Sequence, residues 1–331
     1  MAGGAQTEEL AARMHGLTAA QITQFHQEGY LRVPDVFDPA DLEPVRQELA
    51  GVVDREARRA YEAGLLPQLY EDEPFETRLT RICQHTDAVY KAVLGRGGGG
   101  HAGEELFKII THPRLLAKVE SLVGPEIVGS SVYRIRPKVP GWPHGVVAWH
   151  QDSGYFAPHC DDRLILTCWM PLVDATVENG CLYVLPRAHR RGVFRHHTGG
   201  YAGYLVITDD DRPEGEGVPV PVPRGGVLFL TNLTPHCSLE NSADVVRWSL
   251  DLRYQDASVP NNAGQRPEEF DAHAPPHELA CYPPEADFVI RSAAHPERVI
   301  SDWRQFEALR RAYDEARHLP YPKRGWQPVT K

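Results

Sequence analysis

From Ile127 onward the apolar residues of this chain recur at every second position, a period that builds extended strands rather than helices. Eight segments carry it: Ile127 to Arg136, Val146 to Trp149, Leu164 to Met170, Gly180 to Leu185, Leu205 to Ile207, Val218 to Val222, Val227 to Leu230 and Val245 to Tyr254. Turn residues separate them. Eight short strands are what a jelly roll requires, so the expected fold class is mainly β with flanking helices. With 331 residues, 42% of them hydrophobic, the chain can bury a full core. We expect a single domain over 1–331 in three parts: a helical stretch over 1–125, a jelly-roll core over 126–256, and a coil and helix over 257–331.

Helical spacing governs the flanks. Thr18 stands three residues before Gln21 in a capping-box arrangement, and Gly29 is the expected stop of that helix. A short strand over Tyr30 to Val33 follows. Asp38 caps the next helix, whose Leu42, Val45, Leu49, Val52 and Val53 keep helical spacing and which runs to about Ala63. Residues 64–104 show no clear period, and Gly95 to Gly100 reads as a connector, which makes this region a candidate lid. A helix from Glu104 to Val123 is interrupted near Pro113 and stopped by Gly124-Pro125. The Pro-rich stretch Pro260 to Pro284 reads as coil, and Trp303 to Leu319 as a last helix.

The chemistry concentrates in Trp149-His150-Gln151-Asp152. On a strand, side chains i and i+2 lie on one face, so His150 and Asp152 offer a nitrogen and an oxygen to the same cation. Gly225 to Leu230 reads as a turn into an apolar strand and delivers His236 soon after. Two His and one carboxylate form the facial triad of a non-haem Fe(II) site with open positions. Arg247, Ser249 and Asp251 share a face of another strand, and a buried Arg there needs an anion. The distal carboxylate of 2-oxoglutarate is such an anion, gripped bidentately by a guanidinium, and Ser249 could add a hydrogen bond to it. Lys138 and Arg253 are the other cations that could fill this role.

These residues, with Trp169-Met170-Pro171-Leu172, Glu178 to Pro186 and His189, make the stretch from about 130 to 255 resemble the phytanoyl-CoA dioxygenase family of Fe(II)/2-oxoglutarate oxygenases. A looser match over Phe25 to Leu31 and Val36-Phe37 extends the resemblance toward the N-terminus. The resemblance implies a double-stranded β-helix of cupin type and a dependence on Fe(II), 2-oxoglutarate and O2. It implies His150, Asp152 and His236 as metal ligands, Arg247 as the co-substrate anchor, and Gln151 and Trp169 on the wall of the co-substrate pocket. Related halogenases give up the metal carboxylate to make room for chloride. Asp152 keeps it, which favours hydroxylation or another oxidation, including oxidative cyclisation or desaturation. The substrate expected is a polar small molecule, a natural-product intermediate such as one of antibiotic biosynthesis. Two readings of other classes stand beside this one: a cupin-like metalloenzyme that does not use 2-oxoglutarate, and a catalytically silent jelly-roll binding protein.

Loops joining jelly-roll strands form the mouth, which assigns Pro140 to Val147, Tyr155 to Asp162 and Arg190 to Tyr201 to its rim. His144, Tyr155 and Phe156 are the substrate-side candidates, while His159, His196 and His197 read as loop residues, the last two solvated. A net charge of −10 argues against nucleic-acid and anionic-membrane partners, which need a cationic face. Six cysteines without a Cys-x-x-Cys spacing read as buried free thiols. The first nine residues do not read as a secretion signal, and no stretch is apolar for long enough to span a membrane, so a cytoplasmic location is expected.

Overall fold

In β10 (Arg247–Asp256) the alternation read from the sequence becomes a division between two environments. Trp248, Leu250, Leu252 and Tyr254 enter the main apolar core, while Arg247, Ser249, Asp251 and Arg253 are buried on the opposite face. A strand that buries charge on one face needs a polar interior there. The computed structural model describes residues 16–95, 100–142, 145–200, 203–316 and 318–329.

Two antiparallel sheets enclose that interior. The larger is ordered β1 (Tyr30–Val33), β8 (Val227–Leu230), β4 (Ile165–Pro171), β10, β2 (Ile127–Lys138) and β11 (Asp287–Arg291). The smaller is ordered β3 (Val147–His150), β9 (His236–Ser238), β5 (Leu182–Val184) and β7 (Val218–Val220). From β2 to β5 and again from β7 to β10, consecutive strands alternate between the two sheets, the winding of a double-stranded β-helix. The edge strands β1 and β11 come from outside 126–256 and lengthen the larger sheet at both ends. A parallel two-residue pairing joins β6 (His197–Thr198) to β12 (Gln327–Pro328).

Helices cover the outer face of the larger sheet. In α1 (Ala19–Glu28) the capping box forms as expected, and Gly29 ends the helix at φ +83°, a conformation that favours glycine. A 3-10 turn over Pro39–Leu42 leads into α2 (Glu43–Glu62), which buries Val45, Leu49, Val52 and Val53. Residues 64–104, expected as a candidate lid, hold α3 (Phe75–Cys83) and α4 (Ala88–Leu94) instead. Leu79, Ile82, Val89 and Val93 are fully buried in the main core, and Phe75 stacks on Trp248 at 4.7 Å. Short helices with few apolar residues each gave too weak a period to read. Residues 96–99, within the glycine-rich break, lie outside the described residues. Pro113 divides the next helix into α5 (Glu104–Ile110) and α6 (Pro113–Val123), and α7 (Trp303–Glu315) closes the helical layer.

Three other expectations are corrected. Leu205 to Ile207 is not a strand, since only Val206 bridges to His197. Asp287–Arg291 is one, although its five residues follow a Pro-rich stretch that masked them. Cys160 and Cys281 are joined in a disulfide across 121 residues of sequence, a pairing that linear spacing could not reveal, while Cys83, Cys168, Cys181 and Cys237 are free.

Candidate metal and co-substrate centre

Pairing between β3 and β9 sets His150 directly opposite His236, with ring centroids 4.2 Å apart. Each imidazole donates its Nδ1–H to the carbonyl two residues earlier, His150 to Ala148 and His236 to Thr234, both at 2.9 Å. That fixes the tautomer and leaves each Nε2 lone pair free for a metal. Burial, reinforced by the neighbouring His236, holds the His150 imidazole well below its ordinary value, so it is neutral.

Asp152 opens a single 3-10 turn over Asp152–Gly154 immediately after β3. Its Oδ1 lies 4.0 Å from His150 Nε2, and ligand atoms of His150, Asp152 and His236 fall within 4.8 Å of one another. Burial by itself would raise the Asp152 carboxyl. Arg253 at 3.0 Å, the two imidazoles and the hydroxyl of Thr167 at 2.5 Å outweigh it and keep the group ionised. Two imidazoles and one carboxylate, all buried, fit Fe(II).

The same cavity is lined further along by Trp169, Ser238, Arg247, Asp251 and Arg136. Arg247 is 2% exposed, donates to Ser249 Oγ at 2.8 Å and lies 5.2 Å from the Trp169 ring centroid. Its Nε has no partner among the described residues. Burial pulls the guanidinium down to about 10, leaving it charged at neutral pH. An ionised guanidinium with an orphaned donor, facing a cavity, fits the carboxylate of 2-oxoglutarate.

The structure thus brings together His150, Asp152, His236, Arg247, Ser249 and Trp169. Gln151 is a correction. It points away from the cavity and donates to the carbonyls of Gly192 and Leu233, while its Oε1 accepts from Phe194 N–H. With both ends of its amide spent on backbone, it ties loops together between two ligands. Phe156 is another correction, packed with Cys160, Ile165, Val259 and Cys281. Tyr155 meets the His150 ring edge-on at 6.0 Å, and its hydroxyl accepts from Leu205 N–H. His144 lies outside the described residues.

Sequence reasoning missed several supports. His196, expected to be solvated, is fully buried: its Nδ1–H donates to Phe194 O and its Nε2 accepts the Gln151 N–H at 2.9 Å. Gly154 makes room for that ring, because a Cβ there would come within 2.6 Å of His196 Nε2. His197 is also buried, 2.6 Å from Asp211. Arg136 pairs with Asp251 at 2.7 Å, and Arg253, a reserve candidate for the anchor, pairs with Asp152. The shared face of β2 and β10 hints that Arg136 and Asp251 are charged neighbours, while nothing local joins Arg253 to Asp152, which lies in the turn after β3.

A double-stranded β-helix with such a triad and an inward Arg defines a non-haem Fe(II)/2-oxoglutarate-dependent oxygenase. The phytanoyl-CoA dioxygenase (PhyH) family matches residues 25–249, and this chain belongs to that family. Phytanoyl-CoA dioxygenase domain-containing protein 1 of Danio rerio is 25% identical over 266 residues, covering 71% of this chain and 88% of that protein. A methylphosphonate hydroxylase of Gimesia maris is 28% identical over 239 residues, covering 72% and 80%. The solved structure of the apo non-haem monooxygenase ThoJ superposes with a TM-score of 0.54 over 90% of this chain and 97% of that one; at 17% identity it speaks for the fold.

Proposed function

We propose that this enzyme hydroxylates, or otherwise oxidises with oxygen and 2-oxoglutarate, a polar small molecule of natural-product type, releasing succinate and CO2. The observation that carries the reading is one cavity with His150, Asp152 and His236 at one part of its wall and Arg247, whose Nε has no partner among the described residues, at another.

His150, Asp152 and His236 would hold Fe(II), which with 2-oxoglutarate and O2 would supply the oxidising power toward a substrate C–H bond. The chain supplies placement. The Ala148 and Thr234 carbonyls hold the Nδ1–H of both imidazoles, which leaves each Nε2 as the nitrogen for the metal, and Arg253 with Thr167 keeps Asp152 ionised and oriented. Arg247, steadied by Ser249 and flanked by Trp169, would take the distal carboxylate of 2-oxoglutarate. Leu182, Leu230 and Val147 give that wall its apolar part, which limits water at the reacting centre.

The polar lining supports a polar substrate. Asp251 keeps one carboxylate oxygen, Oδ1, without a partner among the described residues, and that oxygen would stay unsatisfied against a long acyl chain. Similarity to a methylphosphonate hydroxylase is consistent with a small polar substrate and does not fix which one. The test is succinate release from 2-oxoglutarate with Fe(II) and ascorbate, screened over polar natural-product intermediates against fatty acyl thioesters. Stimulation by the thioesters alone would sink the substrate class, and absence of 2-oxoglutarate turnover with every candidate would count against the reaction.

A further inference from the structure

A smaller cavity shares Arg136, Val147 and Arg247 with the metal-side one and is also lined by Tyr90, Lys138 and Tyr204. Lys138 stands opposite Arg247 in the β2–β10 register. It is 2% exposed, and its Nζ donates to the carbonyl of Leu239. The groups around it are Arg247 on β10, Arg136 on its own strand, the thiols of Cys237 on β9 and Cys181 ahead of β5, and the Tyr90 and Tyr204 phenols. No ion pair joins it to a carboxylate among the described residues. The carboxylates nearby are already engaged, Asp251 by Arg136 and Asp152 by Arg253.

Two full positive charges on facing strands, shut from water, repel strongly. A guanidinium does not give up its proton near neutral pH, whereas a buried ammonium does. Burial, and then the charge of Arg247, pull Lys138 down to about 6, while Arg247 falls only to about 10.

We propose that Lys138 is neutral in the free enzyme and takes up a proton as the distal carboxylate of 2-oxoglutarate docks beside Arg247, so that a second cation appears only when the anion arrives. The inference rests on the reading of Arg247 as the co-substrate anchor. An anion at Arg247 offsets the part of that depression that comes from the Arg247 charge and so raises the pKa of Lys138 on binding. The added affinity is then full below about pH 6 and is lost as pH rises through the value Lys138 reaches in the complex. Lys138 acts here as a positioning and charge-compensating residue rather than a catalytic one.

Titration calorimetry of 2-oxoglutarate into the Mn(II)-loaded protein, run near pH 7.5 in two buffers of different ionisation enthalpy, counts the protons exchanged. Wild type is expected to take up a substantial fraction of about one proton per 2-oxoglutarate, and Lys138→Met to take up none and bind about tenfold more weakly. Lys138→Gln serves if the Met variant misfolds, with circular dichroism as the check on both. No uptake in wild type, or uptake that persists in a folded Lys138 variant, overturns the proposal. Arg247→Met separates the two ideas. If that variant binds 2-oxoglutarate as tightly as wild type, the anchor reading fails and this inference with it; if Arg247 is required yet no proton moves, Lys138 alone is excluded.

Discussion

At the metal end of the cavity the protein matches its own charges, whereas at the co-substrate end it does not. Asp152 is met by Arg253 and Thr167, and a little farther along Asp251 is met by Arg136. Arg247, by contrast, has a serine hydroxyl, an aromatic face and an unpartnered Nε, with Lys138 across the strand pair. Both ends use β10, with side chains on the same face two residues apart, so strand geometry does not make the difference. Partner supply does. Matched charges hold ligands in one orientation for a metal, and unmatched ones keep a vacancy for an anion.

The largest expected effect comes from breaking the metal end. His150→Ala, Asp152→Ala and His236→Ala should each abolish succinate formation, with circular dichroism as the check that each variant is folded. Full activity in any one of them removes that residue from the triad.

Next comes the unmatched end. Arg247→Lys keeps the charge but loses the planar fork, and should raise the KM for 2-oxoglutarate by about 10- to 100-fold through a lost charge-assisted hydrogen bond. The metal requirement should move little. If both constants rose together, the two ends would not be separable as described.

A milder blow to the matched end should reverse that pattern. Arg253→Met leaves Asp152 without its cation and should weaken metal binding by about 10-fold, with the 2-oxoglutarate KM measured at saturating metal nearly unchanged. A metal affinity equal to wild type would show that Thr167 is enough to hold the carboxylate.

The smallest effect is expected at Asp287 on β11, a buried carboxyl at the edge of the same sheet. Burial lifts it to about 7 against the Asn262 and Ser130 hydrogen bonds that pull it down. The folded chain therefore keeps a proton that the unfolded chain releases near pH ~3.9. The stability this group lends is full below that pH and is lost as pH rises through about 7. Asp287→Asn should flatten this dependence and raise Tm at about pH 8 by roughly 2–4 °C, without changing either ligand constant. Identical pH–Tm curves for the two proteins would rule out the assignment.

The sequence by itself determined the strand-rich core, the capping box at Thr18 with its stop at Gly29, and the candidates His150, Asp152, His236 and Arg247, because each rests on a short-range rule: period two, a three-residue cap, an i,i+2 face. It could not say that α3 and α4 pack into the core, since short segments carry little periodicity. Alternation alone turns Gln151 away from the face shared by His150 and Asp152; only the resemblance put it on the pocket wall, and its amide bonds to Gly192, Leu233 and Phe194 agree with the alternation. The pairs Asp152–Arg253 and Arg136–Asp251 join residues 101 and 115 positions apart. Tertiary structure alone decided them, because sheet register sets which charges meet, and register is fixed by the packing of two faces at once.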